Sequence, residues 1–348
     1  MSKNTPQQAV IAFMRDPENF PHACHKPDEV ETNQSRVFLM GDYAYKLFKA
    51  ISRYRDNTTP EARLENAELE IEANRMLARG LYLGIFAIAA QPDGRFTLQP
   101  AEEADATQAA DYVVKMRRFD NKDLLYERLF ADKLKQHEVY ALGAHVARFH
   151  QNQAPDSAPV QGNCNTFRDD FAGLIHSYAK KVPCPYATAM LEALHTPTMS
   201  AIDKARQSLE SRNHSWRLLH GDLDFGNIAD FNGQLMPFDA QVLFEGKRSN
   251  DTAKDVAYML APLYMHGRPD LADSLQAGYQ SVAHDRTLET VVPLWIAYAC
   301  VVRGGSWLSR LEGANTPQQF ARMEACGYRY LQVAKRFIGF VNGDLSPF

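Results

Sequence analysis

Short apolar runs bounded by turn residues occupy the first third of the chain, and this pattern predicts strands. The expected strands span residues 37–40, 44–48, 81–89, 95–98 and 111–119. Gly41-Asp42 separates the first two runs, which favours a tight hairpin turn between them. One helix is expected among these strands, beginning at Pro60 and closed by Gly80, because proline favours a first helical position and glycine follows helix ends.

Helical spacing of apolar residues dominates from about residue 120 onward. The expected helices span 122–130, 136–151, 166–181, 185–195, 199–212, 252–265, 270–284, 288–310 and 317–340. Short strand-like pieces interrupt them at 218–220, 227–229 and 235–238. The pattern therefore predicts an α+β protein of two lobes: a small sheet lobe with one helix over residues 1–118, and a larger, mainly helical lobe over residues 119–348.

The composition is that of an ordinary globular protein, with 45% hydrophobic and 23% charged residues in a chain of 348. The 38 basic and 42 acidic residues give a formal charge of −4 and form no block of like charge, which argues against nucleic acid and membrane surfaces as partners. The N-terminus lacks the apolar core of a signal peptide. The longest apolar run, 295–302, is far shorter than the roughly 20 residues of a membrane span, so a soluble protein is expected.

The five cysteines form no CxxC pair and are odd in number, which favours free thiols in a reduced, cytoplasmic setting. His22, Cys24 and His25 lie close together, but no second pair of ligands follows at a suitable distance. A loop is therefore favoured over a metal site at this position.

One motif carries most of the chemical information: His220-Gly221-Asp222, with Asn227 five residues after the aspartate and Asp239 twelve residues further on. Phosphoryl transfer by kinases needs a carboxylate that orients the attacking hydroxyl, and Asp222 fits that role. It also needs oxygen ligands for Mg²⁺, which Asn227 and Asp239 would supply. A His-x-Asp triplet alone arises often by chance, and the alternative is a set of turn-capping side chains. The complete spacing favours the phosphoryl-transfer site.

A cation for the nucleotide phosphates is the other requirement of this chemistry, and an acidic residue on a neighbouring helix must hold it. Lys46 lies on an apolar strand, and Glu70 lies in the middle of the following helix. Lys49 is the rival of the lysine, and Glu68 and Glu72 are the rivals of the glutamate. The alternative interpretation is a solvated lysine and a charged helix face. The order of these residues before the HGD motif favours Lys46 and Glu70.

Six stretches carry a resemblance to a known family: Glu31-Thr32, 37–46, 81–84, 114–119, HGDLxxxN at 220–227, and Arg248-x-x-Asp251-x-x-x-Asp255. Through them the chain resembles, over nearly its whole length, the aminoglycoside phosphotransferase and choline kinase-like family, which has a two-lobed protein kinase-like fold with an antiparallel sheet in the N-lobe. It is most similar to a bacterial branch that is often fused to a second ATP-binding domain. No GxxxxGK[ST] motif follows residue 255, so that domain is expected to be absent here.

The resemblance implies a role for each matching residue. It assigns the nucleotide phosphates to Lys46, the ion-pair partner to Glu70, the catalytic base to Asp222, the Mg²⁺ ligands to Asn227 and Asp239, and structural support to His220 and Asp255, the latter by hydrogen bonds to the catalytic-loop backbone. Lys115, Met116 and Arg117 would open the connection between the lobes, 115–119, whose backbone receives the adenine. ATP and Mg²⁺ are the implied cofactors, and the side chains of the connection do not exclude GTP.

Two departures from the family pattern affect the expected site. Asp224 stands where the bacterial branch has histidine, which adds a negative charge beside Asp222. The loop 31–36 has no glycine, so the side chains and amides of residues 32–35 would have to contact the phosphates.

Three residues are candidates for contact with the acceptor: Arg248, Asp251 and Arg303. The alternative for Arg248 and Asp251 is structural support. The alternative for Arg303, as for Tyr298 and Trp307 on the same helical stretch, is packing in the core or on a solvated face.

The nature of the acceptor follows from what the motif lacks. Protein kinases have arginine where this chain has Gly221, and Phe-Gly where it has Ala240-Gln241; the segment 240–250 is also short for a peptide-docking activation loop. We therefore expect transfer of the γ-phosphoryl group of ATP to a hydroxyl group of a small molecule, such as a sugar, an aminoglycoside or an amino alcohol. The alternatives are a protein-directed kinase or a nucleotidyl transferase on the same fold, and a non-catalytic nucleotide-binding protein. The sequence leaves partner proteins open.

Overall fold

The computed structural model describes residues 6–20, 22, 26–52, 55–155, 164–241 and 249–344. The chain forms two compact units, one of residues 1–123 and 229–246, and the other of residues 124–228 and 247–348. The predicted boundary at residue 118 is therefore displaced by a few residues, and the segment 229–246 belongs to the first unit instead of the helical one.

The elements are numbered in chain order. The helices are α1 (Pro6–Arg15), α2 (Pro60–Asn74), α3 (Leu125–Phe130), α4 (Gln136–Asn152), α5 (Cys164–Lys181), α6 (Pro185–Lys204), α7 (Arg206–Glu210), α8 (Ala253–Met265), α9 (Pro269–Ala283), α10 (Leu288–Leu308) and α11 (Pro317–Asn342). The strands are β1 (Asp28–Glu31), β2 (Ser35–Met40), β3 (Tyr43–Phe48), β4 (Tyr82–Ala90), β5 (Phe96–Pro100), β6 (Ala109–Arg117), β7 (Trp216–Leu218), β8 (Ile228–Phe231), β9 (Gln234–Pro237) and β10 (Ser249–Asp251).

The first unit is built on a six-stranded antiparallel sheet with the strand order β1-β2-β3-β6-β4-β5. The predicted hairpin is present, and Met40 pairs with Tyr43 across its turn. Gly41 has a φ of 54°, and a Cβ atom there would lie 2.7 Å from the carbonyl oxygen of His22, so only glycine fits. The predicted sheet lobe and the α+β class are confirmed.

The sequence pattern does not predict α1 and β1. Val10 and Met14 of α1 are buried in one cluster with Phe38 and Tyr45 of the sheet. A helix of 10 residues has too few apolar positions for a helical spacing to be recognised in the sequence. Packing against the sheet specifies α1 instead. Strand β1 is mostly exposed and contains no apolar run.

Helix α2 begins where predicted and ends earlier. The hydroxyl of Thr59 caps it by accepting a hydrogen bond from the Ala62 amide at 3.2 Å. Its last residue is Asn74, after which the chain folds back in a turn whose amides bond to the Asn74 carbonyl oxygen. Glu70 consequently lies four residues before the end of the helix.

The β8–β9 hairpin belongs with the first unit because the residues after it bond to that unit. The amide of Ala240 donates to the side-chain oxygen of Asn74 at 3.0 Å. The rings of Phe238 and Phe119 pack with their centroids 5.1 Å apart. The prediction assigned this segment to the helical lobe because its place in the sequence, between helices, does not show that it returns to α2 and β4.

The second unit is mainly helical, as predicted, and α10 is its central helix. This helix contacts α5, α8 and α11, and most of its residues are buried. Among the described residues, α10 is the one helix whose length and composition would suffice to cross a membrane, and 72% of its apolar window is buried inside the fold.

Helix α6 runs continuously through Pro197, where two separate helices were expected. A proline removes one helical hydrogen bond because it has no N–H group. The Thr198 hydroxyl donates to the Leu194 carbonyl at 2.7 Å, and the Asn342 side chain donates to the Pro197 carbonyl at 2.9 Å. These added hydrogen bonds keep the helix together around the proline.

Helices α4 and α9 approach closely at two glycines. A Cβ atom on Gly143 would lie less than 3.0 Å from the carbonyl oxygen of Leu275 and the amide of Tyr279. A Cβ atom on Gly278 would meet the backbone of Tyr140 at equally short distances. Backbone atoms inside two packed helices cannot move aside, so each position requires glycine.

We expect Gly143→Ala to lower the free energy of unfolding by about 2 kcal/mol or more, because the added methyl group overpacks the α4–α9 crossing. Urea denaturation followed by circular dichroism measures the change. Gly173→Ala is the matched control, since nothing lies within 4 Å of a Cβ atom at this position of α5. There alanine should stabilise the helix by roughly 0.5–1 kcal/mol. Equal stability of Gly143→Ala and the wild type would contradict the packing argument.

Candidate active site

Lys46 lies on β3 of the first unit, and two carboxylates hold its ammonium group. Its Nζ atom is 2.8 Å from Oε2 of Glu70, on α2, and 2.5 Å from Oδ1 of Asp239. Glu70 is buried, whereas the Asp239 side chain is 50% exposed. Burial disfavours the charged lysine, but the two carboxylates outweigh it and raise the pKa of Lys46 above its ordinary value. The lysine is therefore a fixed positive charge.

Tyr82 holds the backbone that carries Asp239. The Asp239 amide donates to the Tyr82 hydroxyl at 3.1 Å, and this hydroxyl donates to Oε1 of Glu70 at 3.4 Å. Asp239 has a φ of 60°, in the left-handed region that residues other than glycine seldom adopt. Such a conformation persists where the surroundings impose it, so the neighbours of Asp239 determine its position.

The rival residues have other partners. Lys49 is 2.7 Å from a carboxylate oxygen of Glu31, at the end of β1. Glu72 is exposed and pairs with Arg75 at 3.2 Å, and Glu68 is exposed as well. The structure thus pairs Lys46 with Glu70, while the nucleotide-binding roles of both residues stay predictions.

The loop expected to contact phosphates is a tight turn between β1 and β2. Its Thr32 hydroxyl accepts a hydrogen bond from the Ser35 amide at 2.9 Å. The Lys49 ammonium group donates to the Thr32 carbonyl at 2.5 Å. These bonds fix the turn without glycine.

The resemblance assigns Lys115, Met116 and Arg117 to the start of the connection between the lobes, whereas the structure places them in a strand of the sheet; their contact with the adenine stays a prediction. All three lie in β6, whose register pairs them with β3. The ammonium group of Lys115 lies over the ring of Tyr43, 4.1 Å from its centroid, and burial lowers the pKa of Lys115. The strand ends at Arg117, because the pairing with β3 continues to that residue, and the connection begins after it.

The loop that carries Asp222 lies in the second unit, and Asp255 fixes its backbone. Oδ2 of Asp255 accepts a hydrogen bond from the His220 amide at 2.8 Å, and Oδ1 accepts one from the Gly221 amide at 3.1 Å. Gly221 has a φ of 87°, which glycine adopts without strain. Asp255 therefore makes the backbone hydrogen bonds expected of it, and the glycine of the motif has a conformational role of its own.

His150 and Tyr279 hold Asp255 from the other side. Nε2 of His150, on α4, is 3.2 Å from Oδ2 of Asp255, and Nδ1 is 2.9 Å from the hydroxyl of Tyr279, on α9. Burial alone would raise the pKa of Asp255, but its hydrogen bond with His150 and the donors of the loop outweigh burial and lower that pKa. The carboxylate is therefore ionised although it is enclosed.

Asp222 presents a carboxylate that is one-third exposed, at 33%. The side-chain amide of Asn227 donates to the Asp222 carbonyl at 2.9 Å and to Oδ2 at 3.2 Å. Arg303, on α10, donates to Oδ1. Each carboxylate oxygen has two lone pairs, so the group can still accept a hydrogen bond from a hydroxyl donor.

Arg303 also balances the charge of Asp224, which stands where the bacterial branch has histidine. Nε of Arg303 is 3.4 Å from Oδ1 of Asp224, and Asp224 is buried. Burial raises the pKa of Asp224 in spite of Arg303. The guanidinium carbon lies 5.2 Å from the ring centroid of Tyr258. One cation thus serves both carboxylates of the loop.

Asp251 does not fit the substrate role for which it was a candidate. It is buried, and Arg212 binds both of its carboxylate oxygens, at 2.6 Å and 2.7 Å. Arg212 is also 2.9 Å from Asp285. An enclosed carboxylate in a bidentate ion pair has no face for a ligand, so Asp251 supports the fold.

Arg248, Cys24 and His25 lie outside the described residues, so the roles considered for them stay predictions. Cys164, Cys184, Cys300 and Cys326 are free thiols, as expected. Tyr298 packs on Phe171 and Trp295 with ring centroids 5.2 Å and 5.5 Å apart, which is core packing.

Sequence reasoning assigned no role to Tyr82 and Arg212. Tyr82 lies in the stretch 81–84 that carries the resemblance, but its bond to Asp239 and the bond of Arg212 to Asp251 join positions that are distant along the chain.

The residues expected to hold Mg²⁺, Asn227 and Asp239, offer oxygen atoms as ligands. Among the described residues, no group of three or more His, Cys, Asp or Glu side chains could hold a metal ion. Asn227 bonds to Asp222 through its nitrogen, which leaves the amide oxygen of Asn227 for a cation. Asp239 offers a half-exposed carboxylate. Each residue therefore offers a type of donor that Mg²⁺ prefers, Asn227 in the second unit and Asp239 in the first.

No protein-family model matches the chain. Uncharacterised proteins of Mycobacterium tuberculosis and Mycobacterium bovis are 28% identical to it over 320 residues, which are 89% of this chain and 59% of theirs. The chain therefore spans less than two-thirds of the length of these relatives.

Solved structures share its fold. A choline/ethanolamine kinase family protein from Mesorhizobium loti is 14% identical with a TM-score of 0.51, covering 95% of this chain and 99% of its own. A choline kinase from Cryptosporidium parvum is 11% identical with a TM-score of 0.52, covering 97% and 98%. An aminoglycoside phosphotransferase from Alicyclobacillus acidocaldarius is 13% identical with a TM-score of 0.52, covering 91% of each chain. The chain thus has the kinase-like fold of this group, and the resemblance stated from the sequence is confirmed at the level of the fold.

We expect Asp255→Asn to lower the free energy of unfolding by about 2 kcal/mol at neutral pH, because a buried donor loses its charged acceptor. The pKa of Asp255 is lower in the folded than in the unfolded protein. Its stabilising contribution is therefore complete above the unfolded pKa of about 3.9 and is lost as the pH falls through the lower folded pKa. Urea unfolding at roughly pH 7, 5 and 3.5 should show the difference between variant and wild type shrinking at the lowest pH.

Asp273→Asn, at an exposed position of α9, is the control and should leave stability unchanged at each pH. A difference between Asp255→Asn and the wild type that is the same at all three pH values would show that the charge of Asp255 does not stabilise the fold.

Proposed function

We propose that this protein is a phosphotransferase that moves the γ-phosphoryl group of ATP to a hydroxyl group of a small molecule. Similar structures are named choline kinase, aminoglycoside phosphotransferase and, at a TM-score of 0.50, glucosamine kinase, which supports this class of reaction. The observation that carries the proposal is Lys46 held between Glu70 and Asp239. A protein that only binds a partner has no need of a buried lysine that bridges one enclosed and one exposed carboxylate.

Lys46 is the proposed ligand of the nucleotide phosphates. Glu70 is enclosed and fixes the lysine, whereas Asp239 is half exposed, so phosphate oxygens can compete for the same ammonium group. Two carboxylates against one ammonium group leave a surplus negative charge, which suits a divalent cation. Mg²⁺ held by Asn227 and Asp239 would, when bound, neutralise charge on the β- and γ-phosphates.

Asp222 is the proposed acceptor-binding carboxylate. An acceptor hydroxyl donates to it, the hydroxyl oxygen forms a bond to the γ-phosphorus, and the bond from that phosphorus to the β–γ bridging oxygen breaks. ADP leaves, and the hydroxyl proton passes to Asp222. Because the transition state of this reaction is loose, orientation of the hydroxyl by Asp222 contributes more than its strength as a base.

A small molecule is the proposed acceptor because the loop lacks the features of protein kinases. Gly221 occupies the position of their arginine and adopts a backbone conformation with a φ of 87° that arginine would adopt only with strain. ATP as the phosphoryl donor and a cytoplasmic location are parts of the same proposal.

We expect Asp222→Asn to reduce ATP-dependent phosphorylation by a factor on the order of 10² or more while Mg·ATP binding stays near normal, because the hydroxyl loses its acceptor. Production of ADP over a panel of hydroxyl compounds and a generic protein measures turnover, and calorimetry measures binding. Asp273→Asn, exposed on α9, is the matched control. Retained turnover in Asp222→Asn would remove this residue from catalysis. Incorporation of label from the α-phosphate instead of the γ-phosphate would replace phosphoryl transfer by nucleotidyl transfer.

We expect Asp239→Asn to weaken the Mg²⁺-dependent part of ATP binding by roughly tenfold, because a neutral amide is a poorer magnesium ligand than a carboxylate. Titration of ATP at several Mg²⁺ concentrations measures the effect. Asp42→Asn, at an exposed turn of the same unit, is the control. The same Mg²⁺ dependence in wild type and Asp239→Asn would exclude Asp239 as a ligand.

A further inference from the structure

A cavity of about 370 Å³ lies within the second unit, lined by residues of α4, α9 and β7 and of the turn before α10. Its volume falls in the range of roughly 300–1,000 Å³ that is typical of small-molecule sites. Asp222, Asn227 and Arg303 do not line it. The cavity is therefore separate from the residues of this unit to which the proposed reaction assigns chemistry.

Four polar residues of the cavity wall are more than nine-tenths buried: His150, Ser215, Thr252 and Tyr279. Three of them bond to one another, since the Tyr279 hydroxyl lies 2.9 Å from Nδ1 of His150 and hydrogen-bonds to the Thr252 side chain. The Ser215 hydroxyl makes no hydrogen bond to any described residue. A hydroxyl group buried to this extent without a partner destabilises the fold, so Ser215 indicates an occupant of the cavity.

Two guanidinium groups at the same cavity keep unused donors. Nη1 of Arg217 donates to the carbonyl oxygens of His214 and Trp216 at 2.7 Å and 2.8 Å, which fixes the group and leaves its Nε and Nη2 donors. Arg286 lies at the exposed rim and makes no hydrogen bond or ion pair within the part of the chain that the structure describes. Both cations are therefore available to a ligand.

The acceptors of the cavity wall, in contrast, are already used. Asp285 is the one carboxylate among the lining residues, and it accepts hydrogen bonds from Arg212 and from the amide and hydroxyl of Thr287, at 2.8–3.1 Å. Asp251 and Asp255 do not line the cavity, and Arg212 and the loop amides bind them. Free donors next to saturated acceptors fit a ligand that accepts hydrogen bonds, and guanidinium groups bind phosphate and carboxylate groups best.

The cavity wall is also part of the support of the loop that carries Asp222. His150 and Tyr279 line the cavity, and Nε2 of His150 is 3.2 Å from the Asp255 carboxylate, which accepts hydrogen bonds from two loop amides. A chain of hydrogen bonds thus leads from the cavity to the loop. A ligand that binds the closed form of this wall opposes its local opening.

We propose that this cavity is an effector site for a small molecule with a phosphate or carboxylate group, which binds Arg217, Arg286 and the Ser215 hydroxyl and stabilises the support of Asp255. The inference goes beyond the proposed function and does not depend on it, because binding at this cavity is measured without nucleotide.

Calorimetric titration of the full chain at constant ionic strength tests the binding, with inorganic phosphate, glycerol 3-phosphate, glycerate and glycerol as probes. We expect the wild type to bind at least one anion and not glycerol. Arg286→Met should weaken that binding by roughly tenfold or more, as loss of a charged hydrogen bond implies, and Ser215→Ala by roughly fivefold. Comparison of the three anions shows which charged group is preferred and whether the organic part contributes.

Arg336→Met, at an exposed position of α11, is the matched control and should bind anions as the wild type does. Anions that bind at Lys46 affect every variant equally and therefore cancel in the comparison. Because Arg286 is exposed and makes no contact with a described partner, its replacement should leave the Tm without ligand unchanged.

Hydrogen exchange of the His220 and Gly221 amides tests the connection to the loop. We expect a saturating concentration of the best anion to slow this exchange severalfold in the wild type, and the same concentration to have less effect in Arg286→Met. Unchanged exchange in the anion-bound wild type would contradict the stabilisation of the loop support.

Two results would overturn the anion site: a wild type that binds none of the three anions, or equal affinities of the wild type, Arg286→Met and Ser215→Ala. Calorimetric titration of Mg·ATP tests the proposed function separately. A wild type that binds an anion through Arg286 but binds no Mg·ATP would exclude phosphotransfer and retain the effector site.

Discussion

One buried carboxylate fixes the loop on which the proposed chemistry depends. Asp255 accepts hydrogen bonds from two successive loop amides, and it is 1% exposed. An enclosed charge is tolerated there because donors from the loop and from His150 replace the lost water. Asp255 belongs to α8. The packing of this helix therefore determines where Asp222 lies, and the conformational preference of the loop backbone does not. Asn227 and Arg303 then orient a carboxylate whose backbone is already in place.

A cation held by two carboxylates recurs among the described residues. In three of these sets the cation is at most 17% exposed: Lys46 with Glu70 and Asp239, Arg303 with Asp224 and Asp222, and Arg212 with Asp251 and Asp285. In the first two sets the more buried acid is 2% or 9% exposed, and the other is 50% or 33% exposed. The buried acid fixes the cation, and the cation orients the exposed acid without covering it. Both exposed acids are the residues to which the sequence motif assigns chemistry.

Local spacing predicted the strands, most helices and the motif residues because each of these is encoded over a few neighbouring positions. Contacts between distant positions could not be predicted in this way. Arg303 and Asp222 are 81 residues apart, and Tyr82 and Asp239 are 157 apart. The β8–β9 hairpin likewise returns to the first unit through contacts between positions that are far apart in the sequence. The pairing of Lys46 with Glu70 was accessible because helix α2 follows its strand directly and places one acidic side chain inward.

The glycines at the α4–α9 crossing connect this remote packing to the loop. Helix α4 carries His150 and helix α9 carries Tyr279, and these two side chains meet across the helix pair whose close approach Gly143 and Gly278 permit. Tolerance to substitution therefore does not follow distance from Asp222. In a library of variants selected for activity, positions 143 and 278 would accept as few amino acids as the motif itself, although neither position belongs to a binding surface.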